Sequence, residues 1–337
     1  MPPGQVRPVH EFSHRAESPA FFLPRLAESY ALSFYGGEPL LNIGLIRKVV
    51  FLADRLSRET GKKPRYSLTT NGSLITEESV RFFARHGFGL DISCDGLAQG
   101  ETRRKGSLPR VMAGIRRLLG RPEVSLEVNS VFTPGTVGRL CESARLFLEM
   151  GVQSVRISLD GSRAWSKASL SRLELEMGAL RKVVLALYRR SGKIGVVDFR
   201  PGRRKGLFYC AAGQDRFAVA PNGAVWGCYM FPGHFSGKED TPEYRRYLFG
   251  GLEELAGDGG RTIPKISANY AGLSVDNFAT SMGPCLFCPD VETCAVCPVA
   301  AALSGGALGT IPRHICEIQK IRRIERRRFA DEAALLG

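Results

Sequence analysis

Between residues 30 and 200 the apolar positions switch repeatedly between two periods. Short runs rich in β-branched and aromatic residues recur at intervals of about 30 residues, the length of one βα unit: 31–35 (ALSFY), 65–70 (RYSLTT), 88–93 (FGLDIS), 124–131 (VSLEVNSV), 153–158 (QSVRIS) and 193–199 (KIGVVDF). Between them the spacing turns helical. Leu45, Val49, Leu52 and Leu56 share one helix face ahead of Gly61, a C-terminal stop, and Thr76 with Glu78 opens the next helix. Further helices fit 108–119, 137–150 and 169–190. Such βα alternation predicts an α/β fold with six parallel strands.

A parallel sheet of this kind places its functional loops at the C-terminal ends of the strands, whether it closes into a barrel or stays open. Polar signatures stand there: Gly36-Gly37-Glu38-Pro39 after the first strand, Asn71-Gly72 after the second, Cys94-Asp95-Gly96 after the third. Past residue 200 the pattern breaks. PGRRKG at 201–206 reads as a linker, and the remainder is rich in Gly, Pro and Cys with weak periodicity until a basic amphipathic helix at about 315–331. The expected organisation is an incomplete N-terminal segment (1–30), a βα unit (31–200) and a smaller domain (201–337) organised by something other than a large apolar core.

With 337 residues, 44% hydrophobic and 24% charged, the chain can bury a sizeable core, which excludes disordered and collagen-like classes. No apolar run approaches the roughly 20 residues of a membrane span, and the start MPPGQVRPVHEFSH has no signal-peptide core, so the cytoplasm is the expected location. The net charge of +14 favours an acidic partner such as nucleic acid, an acidic peptide or an anionic cofactor. Much of it lies in 103–121 and 320–328, where solvated helix faces account for it.

Seven of the nine cysteines fall late: Cys210, Cys228, the run Cys285, Cys288, Cys294 and Cys297 at C-x2-C-x5-C-x2-C spacing, and Cys316. Paired C-x-x-C thiolates reach one centre and suit tetrahedral zinc or an iron–sulfur cluster. One zinc site takes four ligands and leaves three thiols over, unless His234 or His314 joins them; two clusters fit the number as well. Cys94 and Cys141 sit inside apolar patterns and read as small core residues.

In order and separation, FYGGEPLL at 34–41, TTNG at 69–72, SCDG at 93–96 and the seven-cysteine tail resemble the radical S-adenosylmethionine (radical SAM) enzymes with a SPASM domain, over nearly the whole chain. The family's tail pattern is met by Cys210, Gly223, Cys228, Cys285, Cys288, Cys294, Cys297 and Cys316, with one spacer shorter by a residue. The resemblance implies a partial (β/α)6 barrel, its first strand missing, followed by a cysteine-rich SPASM-like domain. It implies that Gly36, Gly37 and Glu38 meet the methionyl amino group of S-adenosylmethionine, and that Ser93, Asp95 and Arg104 help hold its carboxylate and ribose, Arg103 being an equal candidate to Arg104. A glycine pair permits close backbone approach, and a carboxylate holds an ammonium by charge-assisted hydrogen bonds. Asn71 reads as loop-shaping.

For the tail, the resemblance implies two auxiliary [4Fe-4S] clusters, one on Cys285, Cys288, Cys294 and Cys316 and one on Cys210, Cys228 and Cys297. The second lacks a fourth thiolate. Either its iron is open to a substrate thiol, which points to thioether chemistry, or His234 or Asp215 completes it. The anaerobic sulfatase maturases within this family carry an Asp base immediately after the cysteine matching Cys228, where this chain has Tyr229. A phenol of pKa about 10 is a poor base near neutrality, which ranks modification of a ribosomally made peptide above sulfatase maturation.

The family's C-x3-C-x2-C, holding the [4Fe-4S] cluster that reduces S-adenosylmethionine, has no counterpart: the first cysteine is Cys94. A truncated start is favoured over loss of the chemistry, since the missing stretch also removes a strand and leaves an edge unpaired. The third cluster is expected only if that motif lies upstream. The expected function is hydrogen-atom abstraction from a precursor peptide or protein, with an external electron donor of flavodoxin or ferredoxin type and a separate leader-binding protein as further partners. Two alternatives stand beside it: a catalytically silent relative that binds peptide or a partner, and a zinc-ribbon protein binding nucleic acid.

Overall fold

The computed structural model describes residues 29–201, 210–273, 285, 287–294 and 296–336. The expected N-terminal segment up to residue 28 and residues 202–206 of the linker lie outside them. Five strands, β1 (Ser29–Phe34), β2 (Lys63–Thr70), β3 (Gly89–Ser93), β4 (Ser125–Phe132) and β5 (Val155–Leu159), form one parallel sheet in sequence order. Helices α1 (Ile43–Thr60), α2 (Glu77–Arg85), α3 (Leu108–Leu119) and α4 (Leu140–Glu149) make the crossovers, and α5 (Lys167–Ser191) follows β5. Crossovers of one hand between successive neighbours put every helix on the same side of the sheet. The expected α/β, partial-barrel architecture is what the chain adopts.

Local chemistry sets the ends of these elements. Gly61 closes α1 at φ 73° and donates its N–H to the Ser57 carbonyl. Thr76 caps α2, although its reciprocal partner is Ser79 and not Glu78. The strands alternate. Tyr66, Leu68, Leu90, Ile92, Val128, Phe132, Val155 and Ile157 enter the main core beneath the helices. Ser67, Thr69, Asp91, Ser93, Glu127, Asn129, Arg156 and Ser158 therefore occupy the opposite face. Sheets covered by helices on both sides are apolar throughout. This one has one polar face.

The sixth expected strand, 193–199, is reduced to one bridge between Val196 and Val155, followed by the 3-10 turn Val197–Phe199. Asp198 is the reason. Its buried carboxylate accepts from the Ile157 N–H and from Arg322, which pulls the segment off the strand path.

The second region carries a small antiparallel sheet, β6 (Ala218–Val219), β7 (Ala224–Trp226) and β8 (Leu248–Gly251), with helices α6 (Thr262–Ala271) and α7 (Pro298–Gly305). Its core is largely aromatic: Trp226, Phe231, Phe235, Tyr247, Phe249 and Tyr270. The last helix, α8 (Arg313–Ala334), returns to the first region, where Ile318 and Phe329 join the main core. Arg322 pairs with Asp198, Arg326 donates to the Asp198 carbonyl at 2.7 Å, and Arg181 of α5 binds both Glu325 and Glu332. A good part of the basic charge expected on a solvated face is thus spent internally. Among the described residues no helix is long and apolar enough to cross a membrane.

Candidate functional site

The loop after β1 is tied to the end of β2 through one carboxylate. Glu38 accepts from the Leu40 N–H at 3.1 Å, the Thr70 hydroxyl at 2.5 Å and the Asn71 N–H at 2.8 Å. A carboxylate offers about four acceptor positions, so one stays available to an ammonium group. A Cβ on Gly36 or Gly37 would meet nothing within 4 Å, so a ligand can approach the backbone there. Asn71 accepts from the Ser73 N–H at 2.9 Å, the turn-shaping role expected of it.

After β3 the arrangement differs from the expectation for Asp95. Its carboxylate is 1% exposed and is filled by the Thr102 hydroxyl, both Nε and Nη2 of Arg103, and the Val131 N–H at 2.8 Å. It organises the loop. Arg103 is committed to it, whereas Arg104 is exposed and makes no ion pair among the described residues. Of the two arginines, Arg104 is the one free to meet an anion. Ser93 ends β3 on the polar face, in register with Asn129. Gly96 holds φ 58° and lies against α4, where a Cβ would sit 2.6 Å from that of Ser143.

The late thiols divide into two sets. Burial raises the Cys228 thiol, and the neighbouring charges acting on it include Cys210 and Cys297; Cys210 likewise senses Cys297. Burial raises Cys294 to about 11, with Cys316, Cys285 and Cys288 adding to the rise against Arg323. Cys285 is raised by burial and then by Cys316 and Cys288. Among the described residues no group of three or more His, Cys, Asp or Glu converges tightly enough to hold a metal ion. The sets are therefore groupings by charge proximity.

Both sets are built into the fold. The Ala212 N–H donates to the Cys210 sulfur at 3.4 Å, and the Met230 N–H donates to Cys228, the kind of donor that steadies a metal-bound thiolate. The loops carrying Cys210 and Cys228 are held by Tyr270, 1% exposed, whose hydroxyl accepts from the Gly227 N–H at 2.9 Å and donates to the Tyr247 carbonyl at 2.6 Å. The Tyr270 ring leaves room only for glycine at Gly213 and Gly227. Arg323 of α8 pairs with Asp290, inside the run that carries the other set, at 2.9 Å. Of the two alternative ligands, the charge of Asp215 acts on Cys210, whereas His234 is buried against Phe235. Cys94 and Cys141 are buried in the main core.

The two regions meet at this site. Tyr35, next to Gly36, and Tyr229, next to Cys228, bring their rings to 4.3 Å. Burial raises the Tyr229 phenol to about 12, with Tyr35, Cys228, Cys297 and Asp91 adding to it, which takes it further from acting as a base near neutrality.

Solved structures match this arrangement over nearly its full extent. Native anSMEcpe with bound S-adenosylmethionine superposes with a TM-score of 0.72 at 15% identity, covering 100% of this chain and 93% of that one. The chain has the fold of that S-adenosylmethionine-binding protein. The same protein with S-adenosylmethionine and the Kp18Cys peptide gives a TM-score of 0.70 at 16% identity, covering 96% and 90% of the two chains. An uncharacterized protein of Methanocaldococcus jannaschii is 27% identical over 143 residues, 41% of this chain and 49% of that protein. A cysteine-type anaerobic sulfatase-maturating enzyme of Clostridium novyi is 28% identical over 116 residues, 32% of this chain and 30% of the enzyme. The chain thus spans half or less of these curated relatives. No protein-family model matches it.

The polar face was missed by motif reading. Asp91, Glu127, Asn129, Arg156 and Ser158 belong to no motif, yet the alternation in LDIS, LEVNS and VRIS carries the signal. These side chains are partly linked: Arg156 to Glu127 at 2.6 Å, Ser158 to Asn129 at 2.8 Å, and Ser33 to Ser67 at 2.6 Å.

Proposed function

We propose that the protein is a peptide- or protein-modifying enzyme of the radical SAM/SPASM type, with S-adenosylmethionine at the C-terminal ends of β1 to β4 and the substrate between the polar face and the cysteine-rich region. The observation that carries this is the Tyr35–Tyr229 contact, which joins the Gly36-Gly37-Glu38 loop to the Cys228 loop. Gly36 and Gly37 leave the approach open, Glu38 offers its remaining acceptor position to the methionyl ammonium, and Arg104 takes the carboxylate. Ser93, at the end of β3, supplies a hydroxyl beside them, and Asp95 acts by fixing the loop.

The donor sets fit two auxiliary [4Fe-4S] clusters, four thiols on Cys285, Cys288, Cys294 and Cys316 and three on Cys210, Cys228 and Cys297, all polarizable sulfur. Such clusters supply electron transfer or a site for a substrate thiolate. Asp215 is the nearer candidate for the fourth position of the second set. The cluster that reduces S-adenosylmethionine does not fit these residues, which include no C-x3-C-x2-C. A cytoplasmic setting, where a flavodoxin- or ferredoxin-type donor and a leader-binding protein are available, suits this reading. The fold of a peptide-binding neighbour makes a cysteine-containing peptide the first substrate class to try, with a thioether as the favoured product.

Equilibrium binding of S-adenosylmethionine to anaerobically reconstituted protein tests the site. Binding weakened about tenfold or more by Glu38→Gln, and by Arg104→Ala, is expected, since each removes a charge-assisted contact. Absence of binding, or binding indifferent to both changes, contradicts the assignment.

A further inference from the structure

The polar face of the sheet holds one acid that the fold leaves uncommitted. Leu90 and Ile92 bury their side chains in the main core, so Asp91, between them, points to the other side with Ser93. Its cross-strand partners are Thr69 on β2 and Glu127 on β4. Glu127 is engaged at both oxygens, by the Ser154 hydroxyl at 2.8 Å and by Arg156 at 2.6 Å. Asp91 has no such support: its Oδ1 is buried and finds no hydrogen-bond partner among the described residues. A buried acceptor without a donor is a costly arrangement unless a ligand completes it.

Its surroundings say which ligand. The charges acting on Asp91 are Glu127 on β4 and Arg156 on β5, and its own charge reaches Tyr229, the residue after Cys228. It therefore lies on the face that the Tyr35–Tyr229 contact approaches, within electrostatic reach of the residue that follows Cys228. The residue after Cys228 is itself a phenol that burial holds away from ionisation. We propose that Asp91 is the proton acceptor for the substrate cysteine, delivered from the sheet and not from the loop after Cys228. The assignment rests on the peptide-modifying reading above. In the step, the cysteine S–H bond breaks and an O–H bond forms on a carboxylate oxygen of Asp91. The S–H electron pair stays on sulfur, which leaves a thiolate facing the cysteine-rich region. Burial, and next the charge of Glu127, raises the Asp91 carboxyl to about 6, so it is ionised at neutral pH yet holds a proton far better than an exposed aspartate.

Two measurements on the reconstituted protein decide this. Infrared titration is expected to show a carboxylic acid band lost with a midpoint near pH 6, absent in Asp91→Asn and moved to lower pH in Glu127→Gln, which removes the like charge opposite. A wild type without that band overturns the assignment whether or not peptide binds. Fluorescence anisotropy with labelled Kp18Cys peptide, and with its Cys→Ala version, is the second. The cysteine peptide is expected to bind about tenfold more tightly at pH 7.5 than at pH 5, a difference absent for the alanine peptide and for Asp91→Asn. The same pH dependence in Asp91→Asn overturns the role of Asp91 and leaves the peptide reading standing. No binding of either peptide to the wild type contradicts the peptide reading, and the proposal falls with it.

Discussion

The two regions of the chain are held together by different means. The first buries a continuous aliphatic and aromatic core under five parallel strands, with elements long enough to be fixed by their own periodicity. The second has strands of two to four residues and a core of aromatic rings packed around Tyr270, and its loops carry seven thiols that burial keeps protonated where a shift is resolved. A core that small leaves part of the ordering to whatever the thiols hold. The contrast teaches where dependence on metal is to be sought, and five perturbations sharpen or break it.

Removal of metal gives the largest expected effect. Chelation under anaerobic conditions is expected to collapse hydrogen-exchange protection around Cys210, Cys228 and Cys294 while β1 to β5 stay protected; equal loss in both regions breaks the contrast. Next comes Tyr270→Ala, which empties the ring site against Gly213 and Gly227 and is expected to cost about 3–5 kcal/mol in the second region. Tyr270→Phe keeps the ring but strands the Gly227 N–H and the Tyr247 carbonyl, at about 1–3 kcal/mol. Denaturant unfolding monitored at Trp226 reads both. In the first region, Arg322→Ala leaves the buried Asp198 carboxylate without its guanidinium. A loss of about 3 kcal/mol, read from thermal unfolding, is expected.

The smallest effect is on pH dependence. Asp91 binds its proton more tightly folded than unfolded, about 6 against 3.8, so its contribution to stability is complete below pH 3.8 and declines as pH rises to about 6. After screening the loss amounts to about 1 kcal/mol. Chemical denaturation of wild type and Asp91→Asn between those pH values measures it as the difference in slope.

The βα order, all five sheet strands to within two residues, Gly61 as a helix stop and the loop positions of Glu38 and Asp95 were legible from periodicity and turn chemistry, because each is encoded locally. The stub at Val196 was not, since it depends on Arg322 of α8 reaching back over more than a hundred residues to Asp198. The saturation of Asp95 by Thr102, Arg103 and the Val131 N–H was equally hidden: a motif names the residue type and not its partners. The polar face was written in the strand alternation yet masked by the apolar residues that defined the strands. Tyr270 had no signal of its own beyond the two glycines it packs against.

The central claim is that two separate sets of late thiols hold iron–sulfur clusters beside a site for S-adenosylmethionine. Iron, sulfide and zinc counted on anaerobically reconstituted protein test it most directly, with Cys228→Ala and Cys294→Ala measured alongside. The account predicts about eight irons and as much sulfide per chain, a broad absorbance near about 400 nm, and loss of about half the iron in each variant. Colourless protein carrying zinc alone, or variants that lose all iron together, would contradict it.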